Sequence, residues 1–142
     1  MAETRLRPAR AAAVLAALAL LATGCATATE VTDTARTAAN SAEVCAKATA
    51  EITSSFAEVT KLAQQADIGR AQEDLAAELR SLHDRLEPLA AKAADADIKS
   101  SLEALDTAVA GWAENPASFV RTDQGRIDRL VGAVTTACTP GG

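Results

Sequence analysis

The sequence predicts an all-α protein, and three observations favour that class. Apolar residues make up 49% of the 142 residues, and alanine, the strongest helix former, supplies most of them. Aromatic residues make up only 2% of the chain, and tyrosine is absent. After residue 34, apolar residues recur every three or four positions, which places them on one face of a helix. We expect one helical domain at residues 35 to 138, folded as an up-and-down four-helix bundle, with a tail at residues 139 to 142.

Residues 1 to 24 differ from the rest of the chain. Arg5, Arg7 and Arg10 stand against a single acidic residue, and residues 11 to 22 carry no charge. A basic start, an apolar run of about a dozen residues and a small-residue exit are typical of a cleaved secretory signal peptide. The run is shorter than the roughly 20 residues that a membrane-spanning helix needs. The alternative is a buried N-terminal helix, although the run is apolar on every face and lacks a capping residue.

A motif of small residues closes this run, Ala22-Thr23-Gly24-Cys25. It resembles the lipobox of bacterial lipoproteins, in which small residues precede an obligatory cysteine. The resemblance covers residues 1 to 25 only. It implies that Cys25 receives a diacylglyceryl group, that the signal peptide is removed, and that the mature chain is anchored on the extracytoplasmic face of the cell membrane. Ala22 departs from the family, where leucine is commonest at that position. The competing interpretations are an ordinary signal peptide cut nearby and a disulfide role for Cys25.

The cysteine count agrees with lipidation of Cys25. The chain has three cysteines, so at least one stays outside any internal disulfide. If Cys25 is acylated, Cys45 and Cys138 can pair in an oxidising compartment. In an up-and-down bundle these two positions meet only when the number of helices is even, because the first and last helices then run antiparallel. We therefore expect four helices with a Cys45–Cys138 disulfide, and two unpaired buried cysteines are the alternative.

The helices follow in order along the chain. Residues 25 to 34 are small, threonine-rich and aperiodic, which predicts a flexible tether. Four apolar stripes come next, and each predicts a helix. They run from Ala35 to Ala66, from Leu75 to Ala96, from Ile98 to Trp112 and from Ile127 to Cys138.

The predicted helix boundaries rest on single residues. Gly69 is expected to stop the first helix. Pro88 removes one backbone hydrogen bond from the second helix and predicts a kink near Arg85. Asp97 is expected to cap the third helix, and Pro116 to end it, because the residue before a proline avoids helical angles.

The sequence offers little equipment for catalysis or metal binding. His83 is the only histidine, whereas zinc and copper sites gather several ligands, and we interpret it as a solvated residue on a helix face. Asp95 and Asp97 are too sparse for a calcium loop. No nucleophile elbow, glycine-rich phosphate loop or acid–base pair is recognisable. We therefore expect a protein that is not an enzyme and that needs no metal or other cofactor.

Trp112 is the one candidate for a partner-binding residue. It is the only tryptophan in the chain and lies at the end of the third stripe. Tryptophan is enriched at binding hot spots. The alternative is that it closes one end of the core, since the chain has few other large side chains to do so.

The net charge of the chain indicates which classes of partner it can bind. Residues 1 to 24 hold three of the 14 basic residues and one of the 19 acidic residues, which leaves 11 basic against 18 acidic residues. Such a chain repels polyphosphate, so we expect no nucleic-acid binding. The expected function is a lipid-anchored, non-catalytic binding or interaction module of the bacterial cell envelope, whose partner is an unknown envelope protein or wall component. The alternative is a small carrier of a lipid or other apolar ligand near the membrane.

Overall fold

The computed structural model describes residues 28–65, 69–122 and 124–140. These residues form helices joined by turns, with no strand among them, which confirms the all-α class. The helices are α1 (Ala28–Ala63), α2 (Gly69–Lys92), α3 (Ala96–Glu114), α4 (Pro116–Val120) and α5 (Gln124–Ala137). The predicted signal peptide and Cys25 lie outside the described residues. From Arg36 onward the chain forms one compact unit, and the packing described below belongs to that unit.

Helix α1 begins earlier than the sequence analysis predicts. It starts at Ala28 rather than Ala35, so residues 28 to 34 of the predicted tether are helical. These residues lack an apolar stripe, but an exposed helix does not need one. Glu30 lies in the first turn, where a carboxylate interacts favourably with the positive end of the helix dipole. The helix therefore extends into a segment whose composition suggested a loop.

The buried face of α1 agrees in part with the predicted stripe. Ile52 and Val59 are buried on that stripe, and Cys45 is partly buried against the core. Val44 and Ala48, which lie beside the stripe, are buried as well. The buried face is wider than a single stripe, since α1 contacts α2 through an ion pair and the end of α5 through the disulfide.

The predicted stop at Gly69 is wrong. Helix α1 ends at Ala63, and Gly69 instead opens α2. The Gln65 N–H donates to the Leu62 carbonyl at an N···O distance of 3.0 Å. This three-residue spacing tightens the chain and ends the helix before the glycine is reached.

Leucines of α2 and α3 form the centre of the core, along the stripes that the sequence predicts. Helix α2 is continuous through Pro88, whose side chain is exposed. Full burial of a leucine side chain contributes about 1.5–3 kcal/mol, so this layer ties the two helices together along their length. The leucines with 0% exposure are Leu75, Leu79, Leu82, Leu86, Leu102 and Leu105.

The turn between α2 and α3 is closed by Asp95 and not by Asp97. Asp95 Oδ1 accepts hydrogen bonds from the backbone N–H groups of Asp97 and Ile98, at 2.9 and 3.0 Å. The predicted cap is therefore displaced by two residues. Asp97 lies in the first turn of α3, where its carboxylate still favours the helix dipole.

A short helix occupies the connector that was predicted between the third and fourth stripes. Helix α3 ends at Glu114, as Pro116 predicts, and Pro116 itself starts α4. Proline suits the first helical position because its missing N–H would have no partner there. The described residues thus contain four long helices and one short one.

Helices α3 and α5 each run between two ends of the unit. The disulfide end contains the Cys45–Cys138 bridge and the α2–α3 turn, and the aromatic end contains Trp112 and Phe119. At 1.5 Å per residue, the 14 residues of α5 separate these ends by about 20 Å. Within the described ranges, no helix is long and apolar enough to cross a membrane.

Candidate functional site

A disulfide joins Cys45 to Cys138 and confirms the predicted pair. The sulfur atoms are 2.00 Å apart and the Cα atoms 5.5 Å apart, across 93 positions of sequence. The Cys138 N–H also donates to the Val134 carbonyl, which continues the helical hydrogen bonding of α5 by one residue. Two of the three cysteines are therefore committed to a link between the first and last helices.

Asn40 braces the same end of the unit. Its Nδ2 donates to the Lys92 carbonyl at 3.0 Å, and its Oδ1 accepts from the Ala94 N–H at 2.9 Å. Both partners are backbone groups at the C-terminal end of α2. Lys92 is the last residue of the helix, where carbonyl groups have no helical partner, and Ala94 lies just beyond it. One α1 side chain thus satisfies two exposed backbone groups beside the disulfide.

Arg85 connects the middle of α2 to α1. Its guanidinium donates to the hydroxyls of Ser55 and Ser81, at 2.5 and 2.8 Å, and Nη2 lies 3.2 Å from Glu78 Oε1. Arg85 Nε lies 2.8 Å from Glu51 Oε2, but the N–H does not point at that oxygen, so the contact is Coulombic. The network gives the buried Ser55 hydroxyl a donor and holds the Arg85 charge among two carboxylates, although Arg85 Nε itself makes no hydrogen bond.

His83 is paired across the α2–α3 interface, which corrects its interpretation as a solvated residue. Its Nδ1 lies 2.7 Å from Asp106 Oδ1, and the two side chains are 34% and 15% exposed. The hydrogen bond to Asp106 raises the pKa of His83 above its ordinary value, against a smaller opposing effect of burial. No three histidine, cysteine or acidic side chains in the described part of the chain are grouped closely enough to hold a metal ion.

Trp112 lies inside the core at the aromatic end. It is 4% exposed and contacts Phe119 edge to face, with ring centroids 5.2 Å apart and planes at 75°. Aromatic pairs prefer this geometry and gain stability beyond the area they bury. The position favours the core role for Trp112 over a role as an exposed hot spot.

An apolar cleft separates α1 from α5. Its volume is about 550 Å³, and its lining includes Ile52, Phe56, Ile127 and Val131. Gly132 also lines it, and a Cβ atom built at that position meets nothing within 4 Å. The cleft is therefore open space beside apolar side chains, as a site for an apolar ligand requires.

A second groove lies between α3, α4 and α5, and its most distinctive residues are Arg121, Arg126 and Arg129. We call it the arginine groove; its volume is about 750 Å³, and Trp112 lines it. This cluster was not predicted from the sequence, because the charge was summed over the whole chain and not over each segment. The available signal was three arginines within nine residues of an otherwise acidic chain.

Comparison of the chain with protein-family models, curated protein sequences and solved structures gives no match. Its function is inferred below from its own residues and their geometry.

Proposed function

We propose that this protein is lipid-anchored on the extracytoplasmic face of a bacterial cell membrane and acts there as a non-catalytic binding or interaction module. The Cys45–Cys138 disulfide is the observation that carries the proposal. It commits two of three cysteines, fits an oxidising compartment, and leaves Cys25 in the lipobox-like motif for acylation. A diacylglyceryl group supplies two acyl chains, which stable membrane anchoring generally requires.

The finer fold belongs to the same proposal. Helices α1, α2, α3 and α5 form an up-and-down four-helix bundle, with α4 as a short link. The polar contacts support this order: along α1, Asn40 meets Ala94 and Glu51 meets Arg85, so the partner numbers fall as the α1 numbers rise. Antiparallel neighbours joined by short connections are typical of such bundles.

The proposed partner is an envelope protein or wall component that contacts the exposed helix faces. Glu73, Asp74, Asp84 and Glu87 are exposed on α2, and three basic residues are exposed on the same helix. We call the surface of these four carboxylates the acidic α2 face. Without residues 1 to 24 the chain has 11 basic against 18 acidic residues, and this negative balance favours a cationic partner surface and repels polyphosphate.

The anchor is tested by the intact mass of the protein from a membrane fraction, alkylated with and without prior reduction. We expect a chain that lacks residues 1 to 24 and carries a diacylglyceryl group, with two further thiols alkylated only after reduction. Cys25→Ser is the matched variant, because it removes the acylated thiol and keeps the disulfide. An unlipidated wild-type chain, or a Cys25→Ser variant that still carries the diacylglyceryl mass, would contradict the anchor.

The interaction role is tested by photo-crosslinking in cells from Glu73 and Glu87, each replaced by a photoreactive residue. We expect both positions to capture the same protein or wall fragment. The matched control is Phe56, which lies in the apolar cleft and away from the acidic α2 face. Equal capture from Phe56, or no specific capture from α2, would count against a partner on this surface.

The apolar cleft favours a second candidate function, the carriage of a lipid or other apolar ligand. Native mass spectrometry of the protein from the producing organism would show a retained small molecule if this function is correct. Gly132→Leu places a side chain into the open space of the cleft and should abolish retention. Gly111→Leu is the matched control, since a Cβ at Gly111 also meets nothing within 4 Å but lies in the other groove.

A further inference from the structure

The arginine groove combines an apolar wall with three cationic side chains. The partly buried Ala108 and Leu130 supply apolar surface beside the buried Trp112, and three arginines are exposed along its lining, Arg121, Arg126 and Arg129. Its volume of about 750 Å³ lies within the range of small-molecule sites. The groove can therefore hold a ligand that has an anionic group and an organic part.

The arginines of the groove differ from Arg85 in their partners. Arg85 contacts two carboxylates and two hydroxyls. In the described part of the chain, no carboxylate lies within ion-pair distance of the three groove arginines, which are Arg121, Arg126 and Arg129. Asp128 lies between two of them in sequence, but it lines the apolar cleft and not this groove, and accepts a hydrogen bond from Gln124 Nε2 at 3.0 Å. The positive charge of the cluster is thus not neutralised by these residues.

The hydroxyl groups of the groove are already used as donors. Each donates to a backbone carbonyl within its own segment: Thr107 to Glu103, Ser118 to Asn115 and Thr122 to Ser118, at 2.8, 2.6 and 2.7 Å. A hydroxyl has one proton to donate, so these groups offer lone pairs and not donors to a ligand. The guanidinium groups are therefore the donors that define which ligand the groove accepts.

We propose that the arginine groove binds a phosphate group, carried by a soluble phosphate ester or by a phospholipid headgroup. A guanidinium donates paired hydrogen bonds to phosphate oxygens. A phosphate ligand has more oxygens and more charge than a carboxylate ligand, so it is the better match for a site with several guanidinium groups. The apolar wall beside Trp112 accommodates the organic part of the ligand. This inference goes beyond the proposed function, because it assigns a ligand class to a site that neither the anchor nor the acidic α2 face requires.

The site explains how an acidic protein can accept an anion. The net charge of −5 repels extended polyphosphates, but local potential depends on nearby charges, since the Debye length is about 8 Å at physiological salt. An anion in the groove lies beside three positive charges, those of its arginines. The groove therefore suits a compact phosphate group better than an extended polyphosphate.

The test is a titration of the full chain, in a non-ionic detergent, with inorganic pyrophosphate. Trp112 is the only tryptophan and lies buried against the groove, so its fluorescence reports a change in its surroundings when the groove is occupied. We expect a saturable emission change that sodium chloride of equal ionic strength does not reproduce. Replacing Arg121, Arg126 and Arg129 together by glutamine should weaken the apparent affinity by roughly tenfold or more, because it removes the charge-assisted donors.

Further variants distinguish binding in the arginine groove from a general effect of positive charge on the protein surface. Arg80→Gln is the control for the charge change, since Arg80 is exposed on α2 outside the groove, and it should bind as the wild type does. Gly111→Leu obstructs the groove while keeping all three arginines, and it should weaken binding; Gly132→Leu, in the other cleft, should not. Circular dichroism of each variant verifies the helical fold.

The outcomes decide both the site and the source of the phosphate. A response to pyrophosphate alone indicates a soluble phosphate ester, and a response to vesicles of equal parts phosphatidylglycerol and phosphatidylcholine, lost in the triple glutamine variant, indicates a lipid headgroup. A response to neither, or equal weakening by Arg80→Gln, overturns the proposal. Failure of the lipid anchor would leave the pyrophosphate result unchanged, so the two proposals fail separately.

Discussion

The disulfide end and the aromatic end of the helical unit are held together by different interactions. At the disulfide end the helices border an open groove of about 720 Å³, and a covalent bond and the two hydrogen bonds of Asn40 join them. At the aromatic end, Trp112 and Phe119 pack edge to face in the core beside the arginine groove. The groove at the disulfide end is lined largely by small side chains, among them Ala38, Ala42, Ala133 and Ala137.

The difference follows from the area that each side chain can bury. Apolar burial contributes about 25 cal/mol per Å², so alanines supply little stabilisation and an aromatic ring supplies several times more. The alanine-rich end therefore depends on directional and covalent links, whereas the aromatic end depends on packing. The two ends should respond to different perturbations, and the following experiments measure that difference.

Loss of the disulfide should have the largest effect. With 93 positions between Cys45 and Cys138, the chain-entropy relation assigns the crosslink about 4–5 kcal/mol, which is an upper value in practice. Urea unfolding followed by circular dichroism should show this decrease in the free energy of unfolding for Cys45→Ser combined with Cys138→Ser, and for the reduced wild type. Cys25→Ser should unfold as the wild type does. Unchanged stability on reduction would contradict the covalent role.

Removal of the Trp112 ring should affect the aromatic end by a comparable or slightly smaller amount. Trp112→Ala leaves a large cavity in the core, and such truncations cost about 3–5 kcal/mol. The same urea measurement applies, with Val120→Ala as the control. Val120 is 48% exposed on the neighbouring helix α4, so its truncation should change stability by less than about 0.5 kcal/mol. Equal effects of the two substitutions would argue against a packed aromatic core.

Asn40→Ala should have a smaller effect at the disulfide end. It removes two hydrogen bonds that contribute about 0.5–1.5 kcal/mol each, so we expect a loss of about 1–3 kcal/mol. Asn40→Asp keeps the acceptor for the Ala94 N–H and loses the donor to Lys92, so it should cost about half as much. Hydrogen exchange at the Ala94 amide should accelerate in Asn40→Ala and much less in Asn40→Asp. An identical exchange rate in both variants would exclude this brace.

The smallest expected effect is a pH dependence of the free energy of unfolding. It arises from the contact between His83 and Asp106, which joins α2 to α3. Because the folded-state pKa of His83 is raised above 6.5, the charged imidazolium favours the folded state. This stabilisation is fully present below pH 6.5 and is lost as the pH rises through the raised pKa. We expect a decrease of about 0.2–1 kcal/mol in the free energy of unfolding across that window, because the pair is partly solvated. His83→Gln and Asp106→Asn should each remove it, and a slope that persists in both variants would have another source.

Local patterns predicted the parts of the fold that depend on neighbouring residues in sequence. The spacing of leucines in α2 and α3 predicts their buried faces, because these two helices make the most extensive helix–helix contact among the described residues. Pro116 ends α3 through a steric effect on its own neighbour. The disulfide was also predicted, because the resemblance to a lipobox assigns Cys25 to acylation and leaves Cys45 and Cys138 as the remaining pair.

Other features depend on packing between distant segments and were missed. The buried face of α1 is wider than the predicted stripe because two helices contact α1. Asp95 and not Asp97 caps α3, because the turn geometry decides which carboxylate reaches the backbone N–H groups. His83 is paired because Asp106 lies opposite it on α3, at a separation of 23 positions that no helical period connects.

By itself, the sequence determined that the chain is helical, where the leucine core lies, and which two cysteines bond. It also predicts the lipid anchor at Cys25. Only the tertiary structure decided which charged side chains have partners: Arg85 is engaged by four residues, whereas Arg121, Arg126 and Arg129 line an open groove beside Trp112. The physical reason is that helical periodicity depends on spacing along one chain segment, while the neutralisation of a charge depends on which other segments lie within a few ångströms of it.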